Sequence, residues 1–181
     1  MDAANQRLLD AAHTQFARNG YKKTSVADIA ATAGVAVGSV YKFYPSKKEL
    51  FFEVYFAENA RMKRDIAKRI DWGFPRAAML EFMSQLSQAT ARNKILGAWN
   101  DPQIGPALQA AGSDRCETSE FQAFLTEQSQ RWRDAGLIPH DCSQEFLEAL
   151  LDAANKIDTE LNLAPEVTVF IYEAMVEKLF A

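Results

Sequence analysis

The stretch from Ser25 to Tyr44, SVADIAATAGVAVGSVYKFY, constrains the fold more than any other part of the chain. It holds two short segments with apolar residues at helical spacing, interrupted at Ala33-Gly34-Val35. Val26, Ile29, Ala30 and Ala33 recur one and two turns apart, and Val37, Val40, Tyr41 and Tyr44 repeat the pattern. Ser25 stands three residues ahead of Asp28, an approximate capping box that predicts a helix start. Gly34 can enter the left-handed region that stops the first helix and turns the chain. Two helices joined by so short a turn, the second small and half polar, read as a helix-turn-helix. In that motif the second helix lies in the major groove of DNA.

The flanks extend the motif into a small domain. Residues from about Ala4 to Asn19 form a first helix with Leu8, Leu9, Ala12 and Phe16 on one face, Phe16 as its anchor and Gly20 as its stop. Beyond the motif, Ser46 and Glu49 make an S-x-x-E capping box, so a fourth helix is expected over about 47–70. Its apolar face is Leu50, Phe51, Val54, Tyr55 and Ala57. At 1.5 Å per residue such a helix reaches about 36 Å, enough to tie a small head to the rest of the chain. The expected division is a helix-turn-helix domain over 1–46 and a helical remainder over 47–181.

Charge agrees with that division. The net charge is −4, yet residues 1–69 carry 12 Lys and Arg against 7 Asp and Glu, while residues 70–181 carry 8 against 17. A head attractive to polyanions is thus joined to an acidic remainder, whose charges read most simply as solvated surface. No apolar run is long enough to span a membrane and no signal peptide is read, so a cytoplasmic setting is expected. Cys116 and Cys142 are far apart without metal-ligand spacing. No glycine-rich phosphate loop, HExxH or C-x-x-C occurs, and the cluster His140-Asp141-Cys142 is adjacent in sequence rather than convergent in space. The expectation is a protein that is not an enzyme and takes no metal and no cofactor.

Residues Leu8–Tyr55 resemble the DNA-binding domain of the tetracycline-repressor (TetR) family. The matching residues are Leu9-Asp10-Ala11-Ala12, Phe16, Gly20-Tyr21, Thr24-Ser25-Val26, Asp28-Ile29-Ala30, Ala33-Gly34-Val35, Gly38-Ser39-Val40-Tyr41 and Tyr44-Pro45-Ser46-Lys47-Lys48-Glu49-Leu50. The resemblance implies an all-α protein with a helix-turn-helix head and a helical C-terminal domain for ligand binding and dimerisation. It also implies a homodimeric transcription regulator, most often a repressor, that responds to a small-molecule effector. Two departures stand out. Ala36 replaces the family's usual Ser or Thr, leaving the recognition helix without a side-chain cap, at a cost of about 1 kcal/mol. Tyr44 stands where Phe is common, a small change if its hydroxyl reaches solvent or a phosphate.

Phosphate contacts set affinity and register, whereas base contacts specify sequence. Thr24 and Ser25, with the amides that open the second helix, suit one phosphate; for Thr24 a purely local hydroxyl bond is the rival reading. In the family, the Tyr and Lys matching Tyr41 and Lys47 commonly touch the DNA backbone. Base readers are expected from Ala36, Val37, Gly38, Ser39 and Lys42. Val37 can pack on a thymine methyl or serve as core, and Lys42 can reach guanine or a phosphate or remain a solvated charge. No Arg, Asn or Gln lies on this face, so DNA shape is expected to contribute to readout.

Beyond Arg69 the residues are read without a family guide. Pro75 starts a helix through about Asn93, with Met79, Phe82, Met83 and Leu86 on one face. The stretch from Asn100 to Glu117 is the least regular and reads as flexible. A helix follows from about Ser119 to Ala135, carrying Phe121, Phe124, Leu125, Gln128 and Trp132. A helix opened by Asp141 holds Phe146, Leu147, Leu150, Leu151 and Ala154, and one opened by Pro165 holds Val167, Phe170, Ile171, Ala174, Met175 and Leu179. Two consecutive helices with faces this wide suit a four-helix interface between two subunits, an ordinary monomer core being the rival. The wall of an effector pocket would draw on Trp72, Phe74, Phe82, Met83, Trp99, Phe121, Phe124 and Trp132, residues that serve equally as core. The leading function is a regulator of transcription on a pseudo-palindromic double-stranded operator, released by a small effector. The alternative is a helix-turn-helix protein acting through a protein partner or in DNA organisation, with no effector.

Overall fold

A computed structural model describes residues 3–116, 120–138, 153 and 163–180. All regular structure among them is helical: α1 (Ala3–Lys23), α2 (Val26–Ala33), α3 (Val37–Phe43), α4 (Lys47–Ala67), α5 (Pro75–Arg92), a 3-10 turn (Leu96–Asn100), α6 (Gly105–Cys116), α7 (Glu120–Asp134) and α8 (Pro165–Leu179). The expected helix after Asp141, with Phe146, Leu147, Leu150, Leu151 and Ala154, lies outside the described residues. Two compact units emerge, Met1–Arg61 with Thr90–Leu108, and Met62–Ala89 with Gln109–Ala181. The first unit therefore takes in more than the 1–46 expected for the head.

In the first unit Leu8, Ala12 and Phe16 of α1, Ile29 and Ala30 of α2, Val40 of α3, and Leu50, Phe51 and Val54 of α4 are all buried. Phe16 and Phe51 meet edge to face with ring centroids 4.8 Å apart, and Tyr21 joins them at 4.9 Å from Phe51. Phe16 is the anchor that its spacing predicts. Gly20 (φ 74, ψ 172) breaks the helix where its stop is expected, and a short helical stretch continues beyond it to Lys23. Two local expectations need correction. Ala57 is exposed, and Phe52 is buried instead. Residues 100–116 are not irregular: the Gly105 and Leu108 amides bond back to Asp101 and Ile104, and α6 follows. Gly105 is required there, since a Cβ would stand 2.3 Å from the Trp99 carbonyl oxygen.

In the second unit, Ile66, Ile70, Ala78 and Phe82 form one buried cluster with Met62, Trp72, Leu86 and Phe121 against it. Trp132 and Ile138 form another with Trp72, Met79 and Phe180. α4 ends at Ala67 rather than near Ile70, because its last turn tightens: Arg69 N–H donates to Ile66 O, and the Trp72 indole N–H takes the Ala67 carbonyl at 2.8 Å. Among the described residues no single helix is long and apolar enough to cross a membrane.

The charged residue most deeply placed in the first unit is Glu58, buried on α4. Its carboxylate accepts from His13 Nε2 of α1 at 3.0 Å, from Arg61 at 2.7–3.1 Å, and from Asn93 Nδ2 at 2.7 Å. Burial alone would raise this carboxyl, but the hydrogen bonds from Arg61, His13 and Asn93 and the Arg61 charge together hold it below its ordinary value. A depressed carboxylate adds stability that is fully present above the unfolded value, about 4.3, and disappears as pH falls through the lower folded value. Glu58→Gln should therefore lose about 1–3 kcal/mol at neutral pH. In thermal melts between pH 7 and 3 it should also show a shallower acid loss than the parent chain; parallel curves would remove Glu58 from this role.

Candidate DNA interface

The turn between α2 and α3 is built as its residues require. The Ser25 hydroxyl accepts from Asp28 N–H at 3.1 Å while the Asp28 carboxylate accepts from Ser25 N–H at 3.2 Å, a reciprocal capping box. Gly34 (φ 68, ψ 35) ends α2 in the left-handed region, with its own amide on Ala31 O and that of Val35 on Ala30 O. α3 then leaves at a 98° bend. Its first residue follows Ala36, which takes an extended cap conformation and offers no side-chain bond.

α3 rests on the unit through one buried side chain, Val40. Val37 is 43 % exposed, Tyr41 50 % and Phe43 40 %; Ala36, Gly38 and Lys42 are exposed and Ser39 is partly covered. Val37 and Tyr41 thus depart from the apolar spacing that first marked this helix: they face outward. A Cβ added at Gly38 would meet nothing within 4 Å, so the backbone there is open to close approach. Phe43 is the residue that sequence reasoning passed over. On the helical wheel it lies one turn after Ser39 and next to the buried Val40, at the edge of the exposed face.

Other expected contacts are redirected. Thr24 is a correction, since it is 2 % exposed and its hydroxyl donates to Gly20 O at 2.8 Å and Gln15 O at 3.2 Å, closing the end of α1 instead of facing a phosphate. The Ser25 hydroxyl donates to Asp28 Oδ2 at 2.6 Å, so a carboxylate already occupies the start of α2. Those bonds from Ser25 keep the Asp28 carboxyl below its ordinary value. Tyr44 is buried, and its hydroxyl donates to Asn5 Oδ1 of α1 at 2.9 Å rather than reaching solvent. Lys47 turns partly inward: Nζ donates to Tyr21 O at 2.9 Å and Thr24 O at 3.0 Å and sits 4.3 Å from the centre of the Tyr21 ring. Burial lowers the pKa of its ammonium, and the two carbonyls and the ring face stabilise the charge.

The residues expected at an effector pocket divide. Trp72, Phe82, Phe121, Phe124 and Trp132 form a continuous aromatic cluster in the second unit, with Phe82 stacked on Phe121 at 4.7 Å and Trp72 on Trp132 at 6.0 Å. The Trp132 indole N–H donates to Trp72 O at 2.7 Å. Gln128, one turn before Trp132, is a buried polar side chain on the same helix face. Met83 is partly buried. Two residues do not join them. Phe74 is largely exposed, and Trp99 belongs to the first unit, where it stacks on Tyr55 at 5.8 Å. On α8, Val167 and Ala174 are exposed, Phe170 is 70 % exposed, and Ile171 and Met175 are partly buried. Among the described residues no group of His, Cys, Asp or Glu could hold a metal ion.

Residues 8–54 match the bacterial regulatory proteins of the tetR family. Over 159 residues the chain is 38% identical to the probable acrEF/envCD operon repressor of Escherichia coli, an alignment spanning 82% of this chain and 71% of that protein. Over 92 residues it is 30% identical to the transcriptional repressor KstR of Mycobacterium tuberculosis, covering 50% of this chain and 42% of that one. Among solved structures, RolR in complex with resorcinol superposes with a TM-score of 0.66 at 14% identity, over 97% of this chain and 87% of that one. FadR from Bacillus subtilis in complex with stearoyl-CoA gives 0.57 at 17% identity over 98% of both chains. The structural likenesses bear on the fold, and the sequence relationship spans well beyond the head: the chain belongs to the tetR family of bacterial regulatory proteins.

Proposed function

We propose that this DNA-binding transcriptional regulator acts as a homodimeric repressor, laying α3 of each copy into successive major grooves of a pseudo-palindromic operator. The observation that carries the reading is the outer face of α3, where Val40 is the one fully buried side chain and Gly38, Tyr41 and Lys42 lie exposed. Such a face on the second helix of a helix-turn-helix is the part that enters a groove. Tyr41 supplies a phenolic donor and Lys42 a charge for phosphates. Lys47 uses two of its three N–H donors on Tyr21 and Thr24, which leaves one for the DNA backbone. The relatives are repressors by name, which supports the sign of regulation. Exposed Phe170 and Val167 on α8 support pairing of two copies, because apolar surface of this kind marks contact sites.

An effector is the second part of the proposal. RolR and FadR, which share the fold, were solved with resorcinol and stearoyl-CoA. Here the aromatic cluster around Trp72 and Trp132, with buried Gln128 as a polar orienting group, supports an apolar or aromatic molecule with one hydrogen-bonding end. The same rings pack on one another, which favours the rival reading of regulation without a small molecule. Gel shifts on DNA flanking the coding region, with and without aromatic and acyl compounds, decide between them. Release by a compound supports the effector; binding that no compound alters supports the rival.

Three variants test the interfaces. Lys42→Ala should leave the melting temperature unchanged and reduce the salt slope of DNA binding by about 0.9 for each phosphate that the ammonium neutralises. Lys47→Ala should reduce the slope similarly and also destabilise the fold by about 1–2 kcal/mol, since both carbonyls lose their donor. An unchanged slope with lowered stability would make Lys47 a structural pin alone. Phe170→Glu should shift the chain toward monomer in sedimentation analysis; an unaltered dimer would place the interface elsewhere.

A further inference from the structure

We infer that Lys42 is the specificity-determining residue of α3 and reads a guanine in each operator half-site. This rests on the reading that α3 enters the major groove, and it names what the helix selects there. At 3.6 residues per turn, Gly38 and Lys42 each lie about 160° around the helix from the buried Val40, on either side of the line directly opposite it. Tyr41 and Ser39 lie about 100° from Val40, on the two flanks. A helix laid in the groove by its outer face points that line at the groove floor and its flanks at the walls, where the phosphates run. Gly38 and Lys42 are both exposed, and a Cβ added at Gly38 would meet nothing within 4 Å. With only a hydrogen at Gly38 the helix can approach the floor closely, and Lys42 is the long side chain left on that line.

Its ammonium is also uncommitted. Among the described residues none accepts a hydrogen bond from Lys42 or pairs with its charge. Lys22, Lys47 and Lys94, by contrast, are engaged with Asp101, with Tyr21 and Thr24, and with Arg18. An ammonium has three donors and no acceptor, so it favours a base edge made of acceptors alone. Guanine presents N7 and O6 side by side; adenine sets an amino donor beside its N7, cytosine offers a donor, and thymine sets a methyl beside its O4. The charge draws the chain to any duplex, and its place opposite Val40 selects G·C within one. No residue of α3 is Arg, Asn or Gln, so no side chain of those kinds shares the reading.

The test uses the intact chain on duplexes selected from a random-sequence pool. The selected site should carry a G·C pair at one symmetric position of both half-sites. Replacing that guanine by 7-deazaguanine puts a C–H in place of N7 and leaves base pairing intact. It should cost the parent protein about fivefold per half-site, with the same replacement elsewhere near neutral. Lys42→Ala should erase the penalty and accept any base pair there, Lys42→Arg should keep it, and melting curves should coincide for all three chains. The inference is overturned if the selected site holds no such guanine, or if 7-deazaguanine costs the parent less than about twofold at every position. It is equally overturned if Lys42→Ala weakens binding to all duplexes evenly and the penalty persists. A protein that selects no duplex from the pool overturns the groove reading beneath it, and this inference with it.

Discussion

The head depends on the edge-to-face contact of Phe16 on α1 with Phe51 on α4, both fully buried. Burial of two such rings contributes about 1.5–3 kcal/mol each, and the ring geometry adds about 0.5–1.5 kcal/mol. Its larger effect is on register. Lys47 lies four residues before Phe51 and so on the same side of α4. Seating Phe51 against Phe16 and Tyr21 therefore brings the Lys47 ammonium onto the carbonyls of Tyr21 and Thr24. Those carbonyls belong to the link that starts α2, and α2 sets the turn from which α3 departs. Apolar packing, rather than the exposed charges, thus aims the recognition helix.

A second set of contacts reaches α1 and α4 from residues 93–101. Asn93 reaches Glu58, Lys94 Nζ donates to Arg18 O at 2.7 Å, and Lys22 pairs with Asp101 at 2.9 Å. The Lys94 and Lys22 contacts are solvent-exposed, so each is weak alone. Their placement matters more than their strength. Both act near the last turns of α1, where carbonyls lack helical partners and a cation is favoured. Residues 93–101 are far from α1 in sequence, and nothing in local periodicity pairs them with it.

The motif was legible in the sequence because short-range rules determine it: Ser25 with Asp28, Gly34 in its turn, and the spacing of Ile29, Ala30 and Val40. Phe16 was legible as an anchor for the same reason. Less legible was the destination of polar atoms. Of the two readings of Thr24 the local hydroxyl bond is the one formed, and Lys47, read as a phosphate contact, gives two of its donors to carbonyls inside the unit. Tyr44 shows the same effect through Asn5, a partner 39 residues away. Val37 and Tyr41 fit the apolar spacing yet are exposed, as their reading as groove-side residues needs, because spacing alone does not say which side of a seven-residue helix is inward. Residues 105–116 were missed because Gly and Pro at a helix start look like breakers until Asp101 is seen to close the preceding turn.

α3 has one fully buried side chain, Val40, and no side-chain cap. Most of its surface is consequently free of any duty to hold the protein together. Substitutions there change what is bound while leaving the fold untouched, so new binding preferences can arise without a stabilising change elsewhere. The reading head of this regulator is in that sense exchangeable, and descendants of one ancestral chain could diverge in target while keeping the same interior.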